Sequence, residues 1–94
     1  MNPKPYERKI LKADGTIVDY PPAGKQYTLE ELQQAVGGYI EIVHVGRSHL
    51  MVVNEEGKLT GLPFNPLATE LYGADPSWDH IVGDALVCRD GDID

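Results

Sequence analysis

Two apolar, strand-like runs, Tyr39–Val45 and His49–Asn54, stand almost back to back, joined by a Gly-Arg-Ser-His connection. Runs this short and this close bury their side chains by pairing with each other, so they seed a sheet on which the flanking segments must pack. In the first run Ile40, Ile42 and His44 alternate with Tyr39, Glu41, Val43 and Val45. Apolar residues fall on both faces, which predicts a central strand rather than an edge. Glu55-Glu56-Gly57 turns the chain, and Lys58–Gly61 reads as a third short strand of the same meander.

The flanks follow from local signals. Asp14-Gly15 lies between strand-like runs at Glu7–Lys12 and Thr16–Asp19, a strong hairpin signal because both turn residues take positive φ. Pro21-Pro22 then ends pairing, since neither residue donates to a ladder. Thr28-Leu29-Glu30-Glu31 is a capping box, opening a short helix with Leu29, Leu32 and Val36 on one face and Ala35 beside them. Gly37-Gly38 stops it. Asn65-Pro66 opens a second helix, through Tyr72 to Gly73, and His80–Cys88 reads as a buried strand interrupted at Gly83. The predicted class is α+β: a mainly antiparallel sheet with two short helices, in the order β-β-α-β-β-β-α-β. It occupies one domain, 1–94, with residues 1–5 and 90–94 as loose ends.

Composition narrows the function classes. A formal charge of -7 argues against binding a nucleic-acid backbone, which needs Lys and Arg to neutralise phosphates. It suits a soluble acidic protein or one that offers a negative face to a basic partner. Cys88 is the single cysteine, so no disulfide forms within the chain, and a reducing cytoplasm is the expected location. The N-terminus has no apolar core of the signal-peptide kind, and no run is long enough to span a bilayer.

No Gly-x-Ser-x-Gly elbow, Walker loop or Cys-His pairing is present, so no catalytic residue, cofactor or metal ligand is assigned. The histidines His44, His49 and His80 lack helical ligand spacing. Arg47, Ser48 and His49 on a hairpin connection offer a planar fork, a hydroxyl and an imidazole to an anion, against the plainer reading of a solvated turn. Glu41, mid-strand among apolar residues, is either exposed on its face or buried and paired. Tyr39, Tyr72 and Trp78 are candidates for the wall of a groove, or for core.

Three ordered blocks carry a resemblance: AVGGYIEIV (Ala35–Val43), VVNEEGKLTGLPFNPLATELYG (Val52–Gly73) and DHIVGDALV (Asp79–Val87). Over about Tyr27–Cys88 the chain resembles a small domain-of-unknown-function family found in bacteriophages, prophages and plasmids. The N-terminal hairpin lies outside this resemblance. It implies a mobile-element accessory role and supplies no catalytic residues. Pro66 stands where that family's pattern usually has a basic residue after the asparagine, while Asn65, Ala68 and Thr69 are retained. Asn65 and Thr69 fit a helix cap and first turn, or face a ligand.

Together these features favour a non-enzymatic binding protein, acting in counter-defence in two alternative ways. One is sequestration of a small nucleotide-like ligand through Arg47, Ser48, His49, Glu41, Asn65 and Thr69. The other is occupation of a host protein through Glu55, Glu56, Asp75 and Asp79. The competing readings are a small hydrolase or transferase using His44, His49 or Glu41, which would have to converge in one cleft, and a subunit that self-assembles through exposed strands.

Overall fold

Five antiparallel strands form one sheet in the computed structural model, which describes residues 2–73 and 80–93. The elements are β1 (Lys9–Leu11), β2 (Ile17–Asp19), α1 (Leu29–Val36), β3 (Ile40–His44), β4 (His49–Asn54), α2 (Pro66–Tyr72) and β5 (Ala85–Arg89). The spatial order is β2-β1-β5-β4-β3. Single 3-10 turns at Lys4–Tyr6 and Asp90–Asp92 flank the whole. The class is the α+β one that the sequence implies.

Alternation along β4 and β5 divides the core between two faces. Leu50, Val52, Leu86 and Cys88 pack under α1 with Leu32, Ala35, Val36 and Tyr27. Met51, Val53, Ala85 and Val87 pack under α2 with Ala68 and Leu71. A period of two thus feeds both layers, and β5, between β1 and β4, is buried on both faces from Ala85 to Cys88.

Both helix starts form as their sequences imply. The Glu31 amide donates to Thr28 Oγ1 (3.1 Å) and the Thr28 amide to Glu31 Oε1 (2.8 Å), closing the capping box. Glu31 Oε2 also accepts from the Ala23 amide (2.9 Å), which ties the proline-rich loop to the helix. Those backbone donors, Thr28 then Ala23, hold the Glu31 carboxyl below its usual pKa. Leu29, expected on the buried face, is the first residue of the helix and is 59% exposed.

Three expectations for the sheet change. β3 is an edge strand, not a central one: the central position belongs to β5, and Glu41 and Ile42 of β3 lie exposed. Lys58–Gly61 is a run of turns rather than a strand. Asn54 Oδ1 accepts from the Glu56 amide (2.8 Å), and the Thr60 amide bonds to the Glu56 carbonyl (3.0 Å), so the backbone coils on itself. The last strand begins only at Ala85. Before it, Gly83 takes φ +75°, and a Cβ there would lie 2.8 Å from Leu62 Cδ1, so a side chain at this corner would have to push Leu62 aside.

The tail to Ile93 is built into the fold rather than loose. Buried Asp92 accepts from Arg8 Nη2 (2.8 Å) and from the Arg89 amide (3.0 Å), and Ile93 bridges to Tyr27. Arg8 itself sits at φ 60°, a left-handed conformation that a non-glycine residue adopts at a cost, and its ion pair with Asp92 helps to hold it there. No helix among the described residues is long and apolar enough to cross a membrane.

Candidate functional site

The structure separates the residues expected to act together. Asn65 is fully buried, and every polar atom of its side chain is used. Nδ2 donates to the carbonyls of Leu11 and Gly83 (2.8 Å each), and Oδ1 accepts from the Ala68 amide (3.1 Å). Thr69 is buried too, its Oγ1 accepting from the Ile81 amide at 2.9 Å. Neither residue faces a ligand: both clamp α2 to the strand connections, which is their correction from ligand-binding candidates.

Arg47 and Ser48 lie exposed on the β3–β4 connection. Ser48 and His49 border a shallow groove with Lys4, Glu7 and Arg89, but Arg47 does not line it. Glu7 engages two of the side chains there. Its Oε1 contacts His49 Nε2 (2.7 Å) and accepts from Arg89 Nε (3.1 Å). His49 and then Arg89 hold the Glu7 carboxyl below its usual pKa, against the opposing effect of partial burial. Two of the donors an anion would need are thus already engaged.

Glu41, His44 and His49 do not converge. His44 lies on the α1 side of β3, whereas Glu41 is on the α2 side. Glu41 pairs with Val53, and His49 lies four residues away along β4, about 13 Å at strand rise. The shared cleft that the hydrolase reading required is missing for these three residues. Cys88 is fully buried and its thiol is pushed up to about 12, chiefly by burial, so it stays protonated at neutral pH. Among the described residues no group of three His, Cys, Asp or Glu side chains is placed to hold a metal ion.

What the fold does assemble is an acidic cleft on the α2 face. Odd-numbered side chains of β3 and β4 point toward this layer, so Glu41 stands beside Val53. Glu55, two positions beyond Val53, becomes the diagonal neighbour of Glu41, a spacing of about 7–8 Å in such ladders. The Glu55 amide donates to the Tyr39 carbonyl (2.9 Å), which continues the ladder and fixes that placement. Asn54 anchors the adjoining turn, its Nδ2 donating to the Val36 carbonyl (3.2 Å).

Tyr72 at the end of α2, His80, and Lys58 and Leu59 of the turn complete a cleft of about 170 Å³. Val43, Val53 and Ile81 form its apolar floor. The His80 ring lies against Phe64, centroids 5.6 Å apart, which steadies one wall. Leu59 projects beside the mouth and is 86% exposed.

Two carboxylates against one lysine leave the described lining net negative, and over its apolar floor the carboxylates accept hydrogen bonds from a guanidinium or ammonium group while its alkyl stem stays dry. The volume falls short of the roughly 300 Å³ at which pockets enclose a whole drug-sized ligand, and suits one side chain. Glu41 and Glu55 came from separate candidate sets, small-ligand and protein-binding, and the structure puts them in one place. Tyr72 was a groove candidate and lines it. Sequence reasoning missed His80 and Lys58 as cleft residues, for no local motif joins segments so far apart. Glu56 lies outside this cleft and borders another groove with Tyr39. Asp75, Trp78 and Asp79 lie outside the described residues.

Comparison with known proteins returns no matching curated protein and no matching solved structure. A family model described as a domain of unknown function, DUF3846, matches residues 6–94. The match takes in the N-terminal hairpin, β1 and β2, which the three sequence blocks had left outside. The chain therefore belongs to the DUF3846 family of domains of unknown function.

Proposed function

We propose that this chain is a non-enzymatic accessory binding protein of a phage or related mobile element, and that it acts in counter-defence by occupying a host protein. The observation that carries the reading is the acidic cleft, where Glu41 and Glu55 flank an apolar floor sized for one arginine or lysine side chain. A net charge of -7 supports it by steering a basic surface toward the cleft. Leu59, exposed beside the mouth, adds apolar surface for a partner to cover. The alternative, sequestration of a nucleotide-like anion, loses support because Asn65 and Thr69 are buried and saturated and Arg47 lines no cleft with them.

The test is affinity capture from the lysate of a bacterial host, comparing wild type with Glu41→Gln/Glu55→Gln and with Arg47→Ala. The reading expects a protein that wild type and Arg47→Ala both retain, that raised salt releases, and that the double glutamine variant fails to hold. Retention by the double variant, loss on Arg47→Ala, or recovery of a nucleotide-sized adduct in place of a protein overturns it.

A further inference from the structure

The edge position of β3 has a second consequence, independent of the acidic cleft. The Val45 amide bonds to the His49 carbonyl (3.1 Å), and the Glu55 amide to the Tyr39 carbonyl (2.9 Å). Odd-numbered residues of this strand therefore spend their backbone groups on β4. Ile40, Ile42 and His44 turn theirs the other way, toward an edge that no described strand covers. Natural edges are commonly blunted by lysine, proline, bulges or brevity. The opposite edge, β2, is three residues long and has Asp19 paired with Lys9. β3 has five residues and none of those devices; its one carboxylate is Glu41.

Beside that edge, on the α1 face, Leu29, Leu32, Ile40, Ile42 and Ile93 line an apolar groove with no charged side chain among the described residues. Leu29 and Ile42 are 59% and 41% exposed. In a chain of charge -7, this is the kind of surface across which a second, equally acidic copy can approach.

We propose that β3 pairs with β3 of a second copy, antiparallel about a two-fold axis at Ile42, to make one continuous sheet. That register sets Ile42 against Ile42, Ile40 against His44 and Glu41 against Val43, with no like charges directly opposed. Each outward-facing pair exchanges both of its hydrogen bonds. The interface is isologous and closes on itself, so it forms a dimer and not a filament. Because the axis stands perpendicular to the sheet, both acidic cleft mouths open on the same side, flanking the axis.

The test is analytical ultracentrifugation of the full chain across a dilution series. Wild type should sediment as a dimer that dissociates on dilution. Ile42→Lys puts like charges face to face at the axis, and Ile42→Pro deletes an amide that β4 does not use. Both should sediment as monomers with wild-type circular dichroism. Val18→Lys, on the opposite edge, should remain dimeric. A wild type that stays monomeric at the highest concentration overturns the proposal. So does a dimer that survives in folded Ile42→Lys and Ile42→Pro, or one that Val18→Lys abolishes.

Discussion

Replacing Asn65 by aspartate distinguishes a helix cap from a three-way clamp. An aspartate retains the oxygen that caps the Ala68 amide, so at an ordinary N-cap the exchange is close to neutral. Here it removes both donations to the Leu11 and Gly83 carbonyls and sets a buried carboxylate oxygen against two acceptors. Asn65→Ala loses a cap worth about 1 kcal/mol and takes one donor from each of two buried carbonyls, at roughly 1–1.5 kcal/mol each, for a sum of up to about 4 kcal/mol. Asn65→Asp should cost at least as much, because a buried carboxylate with only the Ala68 amide as donor lies against two acceptors. A domain of this size has only about 5–15 kcal/mol of stability, and about 4 kcal/mol moves its melting temperature by roughly 15–30 °C. Thermal and urea unfolding followed by circular dichroism reads both variants. If Asn65→Asp melted within a few degrees of wild type, the clamp would be refuted and Asn65 would be a cap alone.

Two further outcomes follow. Burial raises the Asp92 pKa, but hydrogen bonds from Arg8 and the Arg89 amide outweigh it, so the folded value lies below the ordinary 3.8. A depressed carboxylate contributes stability above its unfolded pKa and loses it as pH falls through the folded value. Urea midpoints of wild type should therefore drop below about pH 4 more steeply than those of Asp92→Asn, and parallel curves would contradict the ion pair. Gly83→Ala combines a left-handed φ with a Cβ 2.8 Å from Leu62 Cδ1, and should cost about 1–3 kcal/mol. Gly15→Ala, with open space around its Cβ, should cost about 1 kcal/mol, from backbone conformation alone. Equal melting temperatures for the two would show that the Leu62 contact carries no weight.

The parts of this fold that were legible in the sequence are those fixed within a few residues. Thr28 and Glu31 close their capping box across three positions, and Asn65-Pro66 opens α2, because such signals need no knowledge of the rest of the chain. The place of β3 was not legible. Its apolar residues on both faces resemble those of a central strand, and only the sheet order, in which β3 pairs with β4 alone, makes it an edge. Lys58–Gly61 reads as a strand until the Asn54 side chain captures the Glu56 amide and coils the turn. Asp92 looked like part of a loose acidic tail because its partner, Arg8, lies at the other end of the chain. The cleft was half legible: Glu41, Glu55 and Tyr72 were each singled out, but their meeting depends on strand register and on where α2 ends.

The central claim, that Glu41 and Glu55 form a receptor for a basic side chain, is tested most directly by NMR titration of the isotopically labelled protein with N-acetyl-arginine amide, alongside AMP as the anionic probe. Saturable shifts are expected at the amides of Glu41, Val53, Glu55 and His80 with the arginine probe. Those shifts should vanish in Glu41→Gln/Glu55→Gln, and AMP should leave the same amides unmoved. Shifts centred on Arg47 and Ser48 with AMP, and none in the cleft with the arginine probe, would contradict it.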